Sequence, residues 1–185
     1  MIDILQSYII KGVIILVIIQ AMMMLQQTLY ERSRKAQCEQ EMFQMSAVLS
    51  SDMRRIGGDT TLSRPYFLIA DTSTLRFMMG DSVNFNKSYQ VDYSFVNVGS
   101  TSVLQRLVTP PGGTVLPIGR NLTRFQCTFY DSAGNTLTPT PLSSAKRLLI
   151  KSIFILAKMQ TTTTSQDTVW SIWSSRIYPQ NLVWN

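Results

Sequence analysis

Val13-Ile14-Ile15-Leu16-Val17-Ile18-Ile19-Gln20-Ala21-Met22-Met23-Met24-Leu25 decides how the rest of this chain is read. Together with Gly12 and the following Gln26 to Tyr30, it makes residues 12–30, a run of 19 without charge between Lys11 and Glu31. A helix rising 1.5 Å per residue extends about 28 Å over that run, against a hydrocarbon core roughly 30 Å thick. The helix of a soluble domain keeps a polar stripe at helical spacing, and Val13 to Ile19 has none. Residues 13–30 are therefore expected to be the transmembrane half of a helix, preceded by a leader-like segment over 1–12. Composition agrees: charged residues make up 15% of the 185, well under the usual quarter or so of a globular protein.

The helix continues beyond the lipid. No Pro or Gly interrupts the chain from Glu31 until Gly57. Cys38, Met42, Met45, Leu49, Met53 and Ile56 recur at steps of three and four, which places them on one helical face. Arg34, Glu41, Gln44, Ser51 and Arg55 fall on the other. Gly57-Gly58 supplies the residue type that ends helices. An amphipathic half over 31–57 follows, its apolar stripe packed as a core face.

From residue 58 to 185 the pattern changes to short strands. Pro65 to Ala70 and Thr74 to Met79 flank Asp71-Thr72-Ser73 as a hairpin. Tyr89, Val91, Tyr93 and Phe95 alternate with polar residues, as do Phe125, Cys127 and Phe129. Ser102 to Val108 forms another strand, closed by Pro110-Pro111-Gly112-Gly113. Leu148 to Met159 is the longest β-rich run, with a polar loop from Thr161 to Asp167 after it. The expected fold is α+β: a long N-terminal helix, half transmembrane and half amphipathic, packed on an antiparallel β-sheet head.

Several chemistries are excluded by residue type. There is no His, so the usual neutral-pH acid/base and commonest metal ligand are missing. Two cysteines cannot complete a structural zinc site, and no Cys–His nucleophile pair is available. The acids are scattered, no Asp-x-Asp-x-Asp-Gly loop occurs, and no Gly-x-Ser-x-Gly is present. No enzyme, cofactor or metal site is expected.

Four pieces of sequence together resemble the type IV pilin-like family, in particular the J-type pseudopilins of type II secretion and the W-type minor pilins. Lys11-Gly12 before Val13 is similar to a prepilin peptidase processing site, in which a basic residue and a small Gly precede an apolar stretch. Glu31-Arg32 stands where pilins leave the membrane on a charged pair. Asp52-Met53-Arg54-Arg55-Ile56-Gly57 resembles the family's helix end, and Tyr178-Pro179-Gln180-Asn181-Leu182 its terminal strand. The resemblance implies a stick-and-head subunit whose helix packs beside other pilin-like subunits. It also implies handling by a prepilin peptidase and an inner-membrane assembly platform, with the head in the periplasm and presented to neighbours or to a secreted substrate. Filament packing would fall to Val17, Gln20, Met22, Met23, Met24, Glu31 and Arg32. Basic residues counted at the ends of the span (Lys11 before; Arg32, Arg34 and Lys35 after) point to the opposite orientation.

The resemblance breaks at Val17, where the family carries a glutamate thought to pair with a neighbour's N-terminal amine. A carboxylate in hydrocarbon is costly unless partnered, so its loss is easily borne. Its absence implies an initiating or tip position, as in K-type pseudopilins. The leader is also unusually apolar at Ile9 and Ile10, which leaves open an uncleaved signal anchor carrying a head that never polymerises.

Cys38 on the helix stripe and Cys127 on an inward strand face leave two readings open. One is a disulfide closing a loop of about 90 residues; the other is a pair of buried thiols. Arg106, Arg120, Arg124, Lys146, Arg147, Lys151 and Lys158 could serve nucleic-acid capture, as in competence pili, only if clustered. A solvated sheet face is the stronger expectation, and neither a nucleic acid nor a small-molecule substrate is expected. Asn86-Lys87-Ser88 and Asn121-Leu122-Thr123 match a glycosylation pattern of no expected use in a bacterial protein.

Overall fold

In the computed structural model, the described residues are 2–57, 66–80, 88–99, 101–109, 113–162, 168–179 and 182. Helix α1 runs unbroken over Ile2–Arg54, about 80 Å at 1.5 Å per residue. Its sole internal helix-breaker is Gly12. The six stripe residues Cys38, Met42, Met45, Leu49, Met53 and Ile56 are all at most 4% exposed, so the three-and-four spacing locates the core face correctly.

Helical structure stops at Arg54, a turn before the glycine expected to end it. Ile56 leaves the axis to form a bridge with Met79. The Gly57 N–H donates to the Met78 carbonyl at 3.1 Å and the Gly80 N–H to the Arg55 carbonyl at 3.2 Å. Gly57 sits at φ +77°, and an added Cβ would lie 3.2 Å from the Tyr66 ring. Both the left-handed backbone and the ring call for glycine there. Gly58 lies outside the described residues.

The head contains two antiparallel sheets where a single one was expected. β1 (Phe67–Ala70), β2 (Thr74–Gly80), β3 (Ser88–Val98), β4 (Thr101–Thr109) and β5 (Val115–Gly119) form a meander in chain order. β6 (Leu122–Tyr130), β7 (Ser152–Thr162) and β8 (Thr168–Ile177) form the second. The chain changes sheet at Arg120 and Asn121, the latter at φ 54°, a left-handed conformation that Asn tolerates better than most residues. The expected β1–β2 hairpin forms, with the Asp71 N–H donating to the Thr74 carbonyl at 2.9 Å.

Two further expectations shift. The run beginning at Leu148 is not strand at its start: α2 occupies Ser144–Leu148, and β7 begins at Ser152. Ser143 caps α2 by accepting from the Lys146 N–H, a short-range bond that overrides the apolar run. β7 also extends through Thr162, into the stretch expected to be loop. At the C-terminus, strand pairing ends with Ile177, so Tyr178 and Pro179 are not a terminal strand. Pro179 has no N–H to donate to a ladder. Gln180 and Asn181 lie outside the described residues, as do Pro110, Pro111, Gly112, Asn86 and Lys87.

One continuous core joins α1 to both sheets. It includes Met45, Leu49 and Met53 of the helix, Phe77 and Tyr93 of the first sheet, and Phe129, Ile153 and Ile155 of the second. Phe77 stacks on Tyr93 with centroids 6.1 Å apart, and Phe67 bridges the sheets edge-on to Phe129 at 6.4 Å. Helix and head approach closely at Gly119, where a Cβ would lie 2.5 Å from the Met45 sulfur and 2.8 Å from Leu122 Cδ1. A larger residue there would require the Met45 and Leu122 side chains to shift.

Candidate functional site

Among the described residues, the apolar first half of α1 is not buried against the rest of the chain. A helix covering Gln6–Arg54 contains an 18-residue window of mean hydropathy 2.3, none of it buried. It is long and apolar enough to cross a membrane. Val13 to Ile19 are 43–66% exposed, and Met22, Met23 and Met24 are 62–66% exposed. So much apolar surface is not left in water without a purpose. Each end of the stretch carries an aromatic with a cation over its ring: Lys11 Nζ lies 5.9 Å from the Tyr8 centroid, and the Arg34 guanidinium 5.2 Å from Tyr30. Tyrosine with Lys or Arg is the usual side-chain pair at the level of lipid headgroups. From Tyr8 to Tyr30 the helix rises about 33 Å.

The residues read as a processing site, Lys11, Gly12 and Val13, lie in mid-helix on exposed surface. A Cβ added at Gly12 would meet nothing within 4 Å. Helical glycine costs roughly 1 kcal/mol against alanine, and neither packing nor backbone conformation explains it here. Val17 and Gln20 are exposed on the same rod. Glu31 is half-buried and accepts from Gln27 Nε2 at 3.4 Å, while Arg32 is exposed.

Where the helix enters the head, a carboxylate locks it. Asp52 is 4% exposed. It accepts from Arg106 Nε at 2.6 Å, from Arg106 Nη2 at 3.2 Å and from the Tyr93 hydroxyl at 2.5 Å. The guanidinium fork thus joins the helix end to β4, and the phenol joins it to β3. Burial first, then the Asp52 charge, push the Tyr93 hydroxyl well above its ordinary value. The same carboxylate raises Arg106, outweighing desolvation. This network fixes the angle between rod and head. Residues 52 and 106 are too distant in sequence for spacing to reveal the pair; the helix-end motif containing Asp52 was the available signal.

Cys38 and Cys127 are both buried and free, so the structure holds the thiol alternative rather than the disulfide. The seven basic residues do not gather into one patch. Arg106 is consumed by Asp52. Lys146 donates to the Thr138 carbonyl, Arg147 to that of Leu68, and Lys151 to that of Leu182. Arg120 is exposed at the sheet change. Arg124 and Lys158 pair in register on the outer face of the second sheet, where Lys158 Nζ stands 3.7 Å over the Trp170 ring. Among the described residues, no group of three or more His, Cys, Asp and Glu could hold a metal ion.

Among the exposed apolar residues beyond the apolar run are Phe43 of α1 at 72% and, on β8, Ile172 at 62% and Trp170 at 45%. Phe43 follows Met42 directly and breaks the polarity of the outward helix face, a signal visible in the sequence. Trp170 and Ile172 required knowledge of which face of β8 turns outward. Compared with protein-family models and with curated proteins, the chain matches none.

Proposed function

We propose that this chain is a pilin-like minor subunit of a bacterial type II secretion or type IV pilus filament, acting at initiation or at the tip by packing against other subunits. The observation that carries the reading is the division of one continuous helix. Its first half is apolar and wholly uncovered, while its second half is sunk in the core of its own head. A rod of this kind fits lipid before assembly and a bundle of equivalent rods afterwards. Lipid and apolar helix faces are alike as surroundings, so transfer between them costs little. Met22, Met23 and Met24 supply flexible side chains that adapt to unlike neighbours. Val17 in place of a carboxylate suits a subunit with none above it. Gly12, without structural use, suits a processing site.

A second reading is favoured by α1 running straight through Gly12 with Ile9 and Ile10 exposed at 59%: an uncleaved signal anchor with an extracytoplasmic binding head that never polymerises. Co-expression with a prepilin peptidase separates the two. Intact-mass measurement is expected to find a chain beginning at Val13, and Gly12→Leu to abolish the cut. A chain that keeps its leader in the presence of an active peptidase overturns the filament reading in favour of the anchor.

A further inference from the structure

Beside α1, where it emerges from the apolar stretch, the surface carries a wide-open cavity of about 380 Å³ lined by Arg34, by Asn121 between the sheets, and by Gln160, Thr161 and Thr162 at the end of β7. No Asp or Glu is among its described lining residues, and the carboxylate on that side is Glu41, in the adjoining depression that Arg34, Asn121, Gln160 and Thr161 also line. The hydroxyls of Ser102 and Thr123, on the same wall, already donate within the fold, to Asn97 Oδ1 and to the Lys158 carbonyl. The Arg34 guanidinium has one nitrogen engaged: Nε donates to the Tyr30 hydroxyl at 2.9 Å, with the Tyr30 ring beneath. That bond orients the fork, whose two terminal nitrogens find no acceptor among the described residues. The amides of Asn121 and Gln160 and the hydroxyls of Thr161 and Thr162 likewise lack partners there. The site therefore offers a preset cation with several neutral donors, which is the donor set for a tetrahedral oxyanion.

The height of the cavity narrows the ligand. Arg34 lies four residues, about 6 Å, beyond Tyr30 along the helix. Headgroups add some 5–7 Å to each side of the hydrocarbon core. With residues 13–30 in lipid, Arg34 stands at the level of the phosphates.

The geometry points to a binding site for the phosphate group of an anionic phospholipid, held by Arg34, Asn121, Gln160 and Thr161 against the foot of the head. Such a lipid fastens the head to the bilayer surface in one rotational setting and must be released when the subunit leaves the membrane. The inference rests on the membrane reading of residues 13–30.

The test uses the full chain in a mild detergent, with phosphatidylglycerol added and bound lipid counted by native mass spectrometry. One tightly retained lipid per chain is expected. Loss of a charge-assisted fork predicts about tenfold or greater weakening in Arg34→Gln. Arg32→Gln, which removes the same charge from an exposed position outside the cavity, is expected to retain the lipid. Equal loss in both variants, or no loss in Arg34→Gln, overturns the site. A soluble arm uses inorganic phosphate. Competition only at millimolar concentration supports the lipid; binding of phosphate as tight as that of the lipid overturns the lipid as its source. Flotation of the same variants on phosphatidylcholine vesicles reports the span separately, since a correct span floats whether or not the cavity binds.

Discussion

Asp52 is one carboxylate answering a buried phenol and a half-buried guanidinium, and its removal strands both. Breaking a buried pair by deleting one partner costs about 3–5 kcal/mol, because the remaining charge stays in the interior unpaired. Asp52→Ala is therefore expected to lower the melting temperature of the full chain in detergent by roughly 10 °C, read by tryptophan fluorescence. Asp52→Leu combined with Arg106→Met should recover much of that loss, since no uncompensated charge remains. Equal melting of the single and double variants would show that packing alone carries the contact. The pH response follows from three acids whose neutral form the fold favours, the first being Cys38, whose thiol is raised by burial and then by the charges of Glu41 and Glu39. Burial, with a smaller push from Asp71, moves the Cys127 thiol from 9.0 to about 12, and Tyr93 rises well above 10.0. A raised acid stabilises the fold fully below its ordinary value and loses that contribution as the pH climbs. Melting temperature should stay level up to about pH 9 and fall beyond it. Cys127→Ala should make the fall shallower, with Cys38 still setting its onset, and a slope unmoved by that change would remove the Cys127 thiol from the account.

At the scale of the element, α1 was the most legible part of the chain, because both of its halves are written in local pattern. An uncharged run sized to a bilayer and a three-and-four stripe need no distant partner to be read. The sheets were less legible. Alternation locates β3 and β6, but nothing local says that β5 pairs with β4 while β6 turns to β7, since pairing is decided by contacts far apart in sequence. The split depends on Gly119 admitting Met45 and on Asn121 accepting a left-handed backbone. Likewise the Asp52–Arg106 lock spans two elements and shows no spacing, and the Arg34 cavity is gathered from four separate segments. Gly119→Val is expected to push α1 off β5 and destabilise the head by about 1–3 kcal/mol through overpacking. A second Met45→Ala change, which makes room, should relieve part of it. Phe43 belongs to the opposite case. It is an exposed aromatic on a helix face the fold does not use, so Phe43→Ser should leave melting unchanged while weakening crosslinking of the chain to the neighbours that the proposed filament would supply. A matching drop in thermal stability would assign Phe43 to the fold instead.

For the whole molecule, the decisive property is independence of its two ends. Among the described residues the apolar run is not buried against the head, and the head closes its core with residues from Cys38 onward on the helix. Damage to one end should therefore be invisible at the other, since distant sites without shared partners contribute additively. Ile18 is 52% exposed near the middle of the apolar run. Ile18→Arg places a charge where insertion costs about 2.5–3.5 kcal/mol. It should cut the carbonate-resistant membrane fraction sharply while the melting temperature in detergent stays within a degree or so of the parent chain. The converse holds for Asp52→Ala, which should remain fully membrane-bound while its head melts early. If Ile18→Arg lowered the melting temperature as Asp52→Ala does, the apolar run would be packing against its own head. The uncovered surface would then belong to a soluble fold, and the rod would have no face left to offer either lipid or neighbouring subunits.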